Sequence, residues 1–427
     1  MTTSVDIFAV AESNVRSYSR QFPVVFTKAN GAWLTGEDGR QYLDLLSGAG
    51  TLNYGHNNPA IIESVIEYLR GGGVVHSLDL HTAAKARFLQ EFCDKILRPR
   101  KLDYKIQFTG PTGTNAIEAA LKLARKVTGR VQVAAFTGAY HGMSLGSLAA
   151  TCNPAARAAA GLPLAHVAFL PYEGYLGPKV DTIEFIEAML TRPDSGCHQP
   201  AAILIELVQG EGGLSSVTSH WLRRLARISK ELGALLIVDD IQAGCGRTGR
   251  FFSFEELGVA PDIVVLSKAL SGFGAPFSVV LMRPDIDVWN PGEHTGTFRG
   301  NNLAFVGATA AIDRYWSDNA LADTVQERAQ LVRDHLSDIA MSLPAGTARV
   351  KGRGLLTGLE FLDPALTLAI QRRLFEGGVI VERCGVHDQV LKLLPPLIIS
   401  QDEMKLALDA VREAVAEVAR PRRALAS

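Results

Sequence analysis

The chain has 427 residues, with 43 Lys+Arg against 44 Asp+Glu and a formal net charge of −1 at pH 7, a balance that offers no sequence-independent grip on nucleic acid. Hydrophobic residues make up 47% and charged residues 20%, which describes a globular protein rather than a disordered one. The length calls for two domains, or one large domain with a smaller partner. Five cysteines, Cys93, Cys152, Cys197, Cys245 and Cys384, are scattered without CxxC pairing. Lone thiols suit a reducing compartment and argue against a disulfide framework or a zinc site. The N-terminus has no positive region followed by an apolar core, and no apolar run reaches the roughly 20 residues that span a bilayer. The expectation is a cytoplasmic enzyme with no nucleic-acid or membrane partner.

In chain order, residues 1–54 read as a helix followed by short strands. "GAWLTGEDGRQYLDLL" is a hairpin, with alternating apolar positions around Glu37-Asp38-Gly39. This segment is expected to contribute to a small domain. Over residues 55–315 the apolar runs "VQVAAF", "AAILIEL", "ALLIVDD", "DIVVLSK" and "FSVVLM" alternate with helical stretches. Continuous runs imply strands covered on both faces, hence an α/β domain around a mostly parallel sheet. Residues 316–427 bring a long helix from Ala320, the short strands "GLLTGLEF" and "VLKLLPP", and an amphipathic helix over Asp402 to Ala419. That reads as a smaller α+β domain ending in a solvated tail, Arg420 to Ser427.

The chemistry gathers at strand ends. Asp239 and Asp240 close the run "ALLIVDD", where doubly wound sheets bind ligands. An N-cap or a surface ion pair is the bland alternative. Lys268 closes "DIVVLSK" in the same way. A lone lysine is usually a solvated cation, but one at the mouth of a buried strand is desolvated, which lowers its pKa and makes it nucleophilic towards aldehydes. A lysine and an aspartate facing one cavity are what pyridoxal 5'-phosphate needs: the lysine holds the aldehyde as a Schiff base, and the carboxylate keeps the ring nitrogen protonated. Gly110, Gly113 and Thr114 open an amphipathic helix, a start that suits a phosphate dianion. It matches neither GxxxxGK[ST] nor GxGxxG, so nucleotide readings gain little. Tyr140 and His141 in "FTGAYHG" could lie on and beside a heterocycle, or be a core tyrosine and a satisfied histidine.

"GHNNP", "GTNAIEAALKLAR", "AYHG", "VQGEGG", "LLIVDDIQAGCGRTG", "SKALSGFG", "HTGTFRGNN" and "GRGLLTGLEF" occur in this order along nearly the whole chain. With these motifs the chain resembles the class III (ω-amino) pyridoxal-phosphate aminotransferases. The resemblance implies a fold-type I architecture and a homodimer with active sites at the interface. It implies that Lys268 is the Schiff-base lysine, Asp239 the partner of the ring nitrogen, and Gln242 a neighbour of the ring oxygen. Gly113 and Thr114 would take the phosphate, Tyr140 would stack on the ring with His141 beside it, and Thr297 would be donated by the neighbouring subunit. Glu211 matches a gate glutamate that in relatives pairs with an arginine. Here the arginine's place holds Lys392, a point charge without the bidentate fork. Lys392 and Glu206 are candidate substrate contacts. His76, Asp79 and His81 read as packing residues.

Stretches such as "SGAGTLNYGHNNP", "LDLHTAAKARFL" and "GPTGTNAIEAALKLARK" are most similar to the branch that makes L-2,4-diaminobutyrate for ectoine-type pathways. That similarity implies amino transfer from L-glutamate to L-aspartate 4-semialdehyde. Ornithine, acetylornithine, lysine or 4-aminobutyrate transaminases, a decarboxylase or an aminomutase of the same fold, and a catalytically silent cofactor-binding regulator are the alternatives.

Overall fold

The computed structural model describes residues 4–419; the tail Arg420–Ser427 lies outside them. Three N-terminal strands, β1 (Phe26–Asn30), β2 (Trp33–Gly36) and β3 (Gln41–Asp44), form an antiparallel meander. The expected hairpin is present, with Trp33 opposite Leu43. Its turn passes through Gly39 at φ +81°, a conformation that costs glycine nothing.

The central sheet has seven strands: β4 (Lys105–Phe108), β5 (Val133–Phe136), β6 (Val167–Leu170), β7 (Ala202–Ile205), β8 (Leu235–Asp239), β9 (Ile263–Leu266) and β10 (Val279–Met282). Their spatial order is β4-β10-β9-β8-β7-β5-β6. Only β10 runs against its neighbours. Side chains along each central strand alternate between two cores. Ile203, Ile205, Leu236, Val238, Val264 and Leu266 enter one; Ala202, Leu204, Leu235, Ile237, Ile263 and Val265 enter the other. This two-sided burial is why the sequence shows continuous apolar runs. Each fully buried Leu or Ile contributes roughly 1.5–3 kcal/mol. The helix Ser219–Glu231 covers the first face with Trp221, Leu222, Leu225 and Ile228. The helix Gly113–Thr128 covers the second with Ala116, Ile117 and Ala120. The two sheet edges are β4 and β6, both only partly buried; β4, Lys-Ile-Gln-Phe, escapes a reading based on apolar runs because polar residues interrupt it, whereas β6, Val-Ala-Phe-Leu, carries a short run that the reading passed over.

Beyond the helix Ala320–Met341, β11 (Ala348–Arg353), β12 (Leu356–Phe361), β14 (Glu382–Cys384) and β15 (Val390–Leu393) make an antiparallel sheet in the order β11-β12-β15-β14. The short β13 (Val379–Ile380) leaves that group and pairs in parallel with β3, joining the N-terminal meander to the C-terminal part. The helix Gln401–Val418 closes the described chain. Among the described residues no helix is long and apolar enough to cross a membrane.

Candidate active site

Asp239 is the last residue of β8 and is 5% exposed. Its Oδ2 stands 2.7 Å from His141 Nδ1, and its Oδ1 accepts from Ile241 N at 3.2 Å. Burial by itself would lower the His141 pKa, but the hydrogen bond and charge of Asp239 outweigh it and raise the value. The imidazole of His141 therefore stands directly behind the Asp239 carboxyl, and that contact favours the charged ring. Glu206 follows β7, and burial pushes its carboxyl up to about 7, with the His141 charge opposing and Asp239 adding. Glu206 Oε2 accepts from Tyr140 N at 3.0 Å. In this geometry Glu206 fixes the backbone of Tyr140, and the half-buried tyrosine ring follows from that anchor.

Lys268 follows β9 after one residue and has φ +49°. Burial lowers its pKa, and Lys392 lowers it further against the raising charges of Glu211, Glu382 and Asp239. Its Nζ donates to the Ala49 carbonyl at 3.0 Å, and Gln242 Nε2 donates to the same oxygen at 3.0 Å. Gln242 Oε1 is buried with no partner. Lys268, Gln242 and Asp239 thus meet at the carboxyl ends of adjacent parallel strands, with the turn after β3 as the facing wall.

Thr109–Thr112 connect β4 to the helix that begins at Gly113. A Cβ on Gly113 would lie 2.7 Å from Ile241 Cδ1, so the helix start is pressed against the loop that follows Asp239. Thr114 Oγ1 and Ser144 Oγ are 2.6 Å apart, and Glu118 Oε1 accepts from Ser144 Oγ and from the backbone N–H groups of Gly146 and Ser147. Hydroxyls and backbone donors gather here at a helix N-terminus.

Lys392 has no exposed side-chain surface. Its Nζ donates to Glu211 Oε1 at 2.8 Å and to the Gly210 carbonyl at 3.2 Å, and it forms an ion pair with Glu382 Oε2 at 2.7 Å. Burial would lower the Lys392 pKa, yet the two carboxylates raise it well above its ordinary value. Burial likewise works to raise Glu211, and the Lys392 charge more than reverses it. Glu382 lies directly opposite Lys392 across the β14–β15 pairing, and Tyr18 Oη donates to Glu382 Oε1 at 2.5 Å. Sequence reading passed over Glu382 and Ala49: one is a single acid in a short strand, the other a carbonyl in a turn.

The structure brings together Lys268, Asp239, His141, Gln242, Glu206, Tyr140, Glu211 and Lys392, with Gly113 and Thr114 beside them. Thr297 is not hydrogen-bonded into this group. Its carbonyl is 2.8 Å from His76 Nε2, and among the described residues none of its hydrogen bonds reaches Lys268, Asp239 or Gln242. His76, Asp79 and His81 are all exposed rather than packed in the core: Asp79 pairs with Arg299 at 3.2 Å, and Asp79 and His81 line a surface cavity.

The Aminotransferase class-III family matches residues 15–415. A diaminobutyrate–2-oxoglutarate transaminase of Bordetella parapertussis is 54% identical over 412 residues, spanning 96% of this chain and 95% of its own. Its counterpart in Vibrio parahaemolyticus is 50% identical over 415 residues, spanning 97% of this chain and 98% of its own. The solved ornithine aminotransferase of Toxoplasma gondii, which has partial occupancy of PLP at its active site, superposes with a TM-score of 0.82 at 26% identity, over 97% of this chain and 94% of that one. Together with the strand-end lysine and aspartate, a match over nearly the whole length means that this chain belongs to the class-III aminotransferase family.

Proposed function

We infer that the protein is a pyridoxal-phosphate enzyme that moves the amino group of L-glutamate to L-aspartate 4-semialdehyde, giving L-2,4-diaminobutyrate and 2-oxoglutarate. One observation carries the substrate pair: two diaminobutyrate–2-oxoglutarate transaminases match at 54% and 50% identity over nearly the full length of each chain. The Toxoplasma gondii ornithine enzyme stands at 26%, so the ornithine reading falls behind.

The residues suit the cofactor. A buried Gln242 Oε1 without a partner, the buried carboxyl of Asp239, a half-buried lysine amine of lowered pKa and a cluster of donors at a helix start all converge. When bound, pyridoxal phosphate supplies an aldehyde and a ring that absorbs the electrons of a carbanion. Lys268 would hold the aldehyde end and, as a free amine, would move a proton at the substrate carbon. Its burial favours the uncharged amine that this work needs. Asp239, backed by His141 at 2.7 Å, would stabilise positive charge on the ring nitrogen. Gly113 and Thr114 would hold the phosphate, Tyr140 would lie against the ring, and Gln242 would meet the ring oxygen.

The gate has two counter-ions. Glu382 is fixed opposite Lys392 by strand register, whereas the Glu211 side chain is 36% exposed on a loop between Gly210 and Gly212. Glu211 is the mobile partner. It covers Lys392 when the reacting carbon bears no carboxylate and yields when glutamate brings one.

That Thr297 makes no hydrogen bond to Lys268, Asp239 or Gln242 among the described residues supports a homodimer in which each subunit lends Thr297 to the other's site. The pairing of β13 with β3 supports a division into residues 1–54 and 316–427 as a small domain around a large one, 55–315. A cytoplasmic location completes this reading.

The test is the two half-reactions, followed by cofactor absorbance. L-Glutamate and L-2,4-diaminobutyrate should each convert the cofactor. Ornithine, lysine and 4-aminobutyrate should be slower. A faster reaction with one of these three, or release of carbon dioxide, would overturn the assignment.

A further inference from the structure

Asp44 ends β3 and is 2% exposed. Its Oδ1 accepts from the backbone N–H groups of Leu46 and Ser47 at 2.8 and 2.9 Å, and its Oδ2 stands 2.7 Å from His56 Nε2. His56 is itself pinned, because its backbone N–H and carbonyl both bond to Gly31, at 2.8 and 2.9 Å. The chain after Asp44 then turns left-handed for four residues, with φ of +47° at Ser47, +59° at Gly48, +56° at Ala49 and +84° at Gly50. Two of the four carry a Cβ, which this region disfavours. Ser47 Oγ is buried without a partner, so that side chain does not hold the turn. The turn delivers one group to the site: the Ala49 carbonyl that accepts from both Lys268 Nζ and Gln242 Nε2. Strained backbone of this kind persists only where its surroundings over-determine it.

We propose that Asp44 and His56 are positioning residues for the reaction: together they clamp the left-handed turn so that the Ala49 carbonyl sets where the Lys268 amine and the Gln242 amide sit. The proposal rests on Lys268 being the reactive amine. A carbonyl that accepts from an ammonium group favours its charged form. The Ala49 carbonyl therefore opposes the burial that pushes the Lys268 amine down, alongside Glu211, Glu382 and Asp239 and against Lys392. Removing the clamp should move the carbonyl away and let the amine lose its proton at lower pH.

The experiment uses the full-length apoprotein. Reductive methylation of Lys268 by formaldehyde and cyanoborohydride is followed by peptide mass spectrometry across a pH series. Asp44→Ala should lower the midpoint of Lys268 labelling by about half a unit or more. Adding Ser47→Gly, which takes φ +47° without steric cost, should return the midpoint most of the way. A structural role alone would lower the thermal midpoint and leave the labelling midpoint unmoved. That result, or a shift that Ser47→Gly does not reverse, overturns the proposal. If Asp44→Ala fails to fold, His56→Leu with and without Ser47→Gly carries the same two outcomes with a smaller shift, since both backbone bonds to Asp44 remain. His56→Gln, whose amide still donates to Asp44, should behave as the parent. A wrong assignment of Lys268 would show separately, as borohydride-fixed cofactor on another peptide.

Discussion

In the proposed reaction Lys268 combines two demands that conflict elsewhere on a protein surface: it must be an amine that loses its proton readily, and it must stay where a proton is to be moved. Burial meets the first and the Ala49 carbonyl meets the second. Replacing Lys268 by Ala should lower kcat by at least about 10²–10⁴-fold, the range of a lost general base; steady-state assays with glutamate check it, and near-normal turnover would remove Lys268 from its role. Asp240 belongs to the same strand end and behaves differently. Burial pushes its carboxyl from 3.8 up to about 7, against the hydrogen bonds of Ser253. The neutral acid is therefore the form that stabilises the fold. Its contribution is complete below the ordinary carboxylate range and is lost as pH rises through about 7. At ~1.4 kcal/mol per unit, urea unfolding of the apoprotein between pH 4 and 8 should show the parent losing ~2–4 kcal/mol relative to Asp240→Asn. Equal slopes would contradict this.

At the scale of elements, the antiparallel pairing of β14 with β15 places Glu382 opposite Lys392, while the loop after β7 brings Glu211 to the same ammonium. One buried cation thus has two carboxylates, and removing it leaves both uncompensated. Lys392→Ala should destabilise the protein by roughly 3–5 kcal/mol, the cost of breaking a buried pair; a shift in the urea midpoint reads it. A loss below ~1 kcal/mol, the range of surface pairs, would mean that Lys392 is solvated after all. The "LKLLPPLII" stretch singled out Lys392 as a departure from the family, yet nothing near it in sequence named its partners. Glu211 lies 181 residues away, and Glu382, though close in number, is brought opposite only by the turn between two short strands.

At the scale of the molecule, the central sheet was legible because two-sided burial writes itself as unbroken apolar runs, and the strand ends were legible because a charge after such a run stands out. The edge strand β4 was not, since polar residues interrupt its half-covered sequence, and the four-residue run of β6 was too short to stand out. Thr297 tests the assembly. Lys268→Ala and Thr297→Ala subunits, each weak alone, should regain about a quarter of parental activity when mixed, because a C2 dimer of one of each rebuilds one of its two sites. No recovery after subunit exchange would place Thr297 outside the partner's site.

The sequence by itself determined what is local: strands, helices, the glycine-bearing helix start at Gly113, and the chemical class of Lys268 and Asp239. Each depends on residues within one or two turns of the chain. Only the tertiary structure decided which charges meet. The ion pairs of Lys392, the imidazole behind Asp239 and the strained turn between Asp44 and Lys268 join groups far apart in number. Side-chain contacts of that kind follow from register and packing, and neither leaves a periodic trace in the sequence.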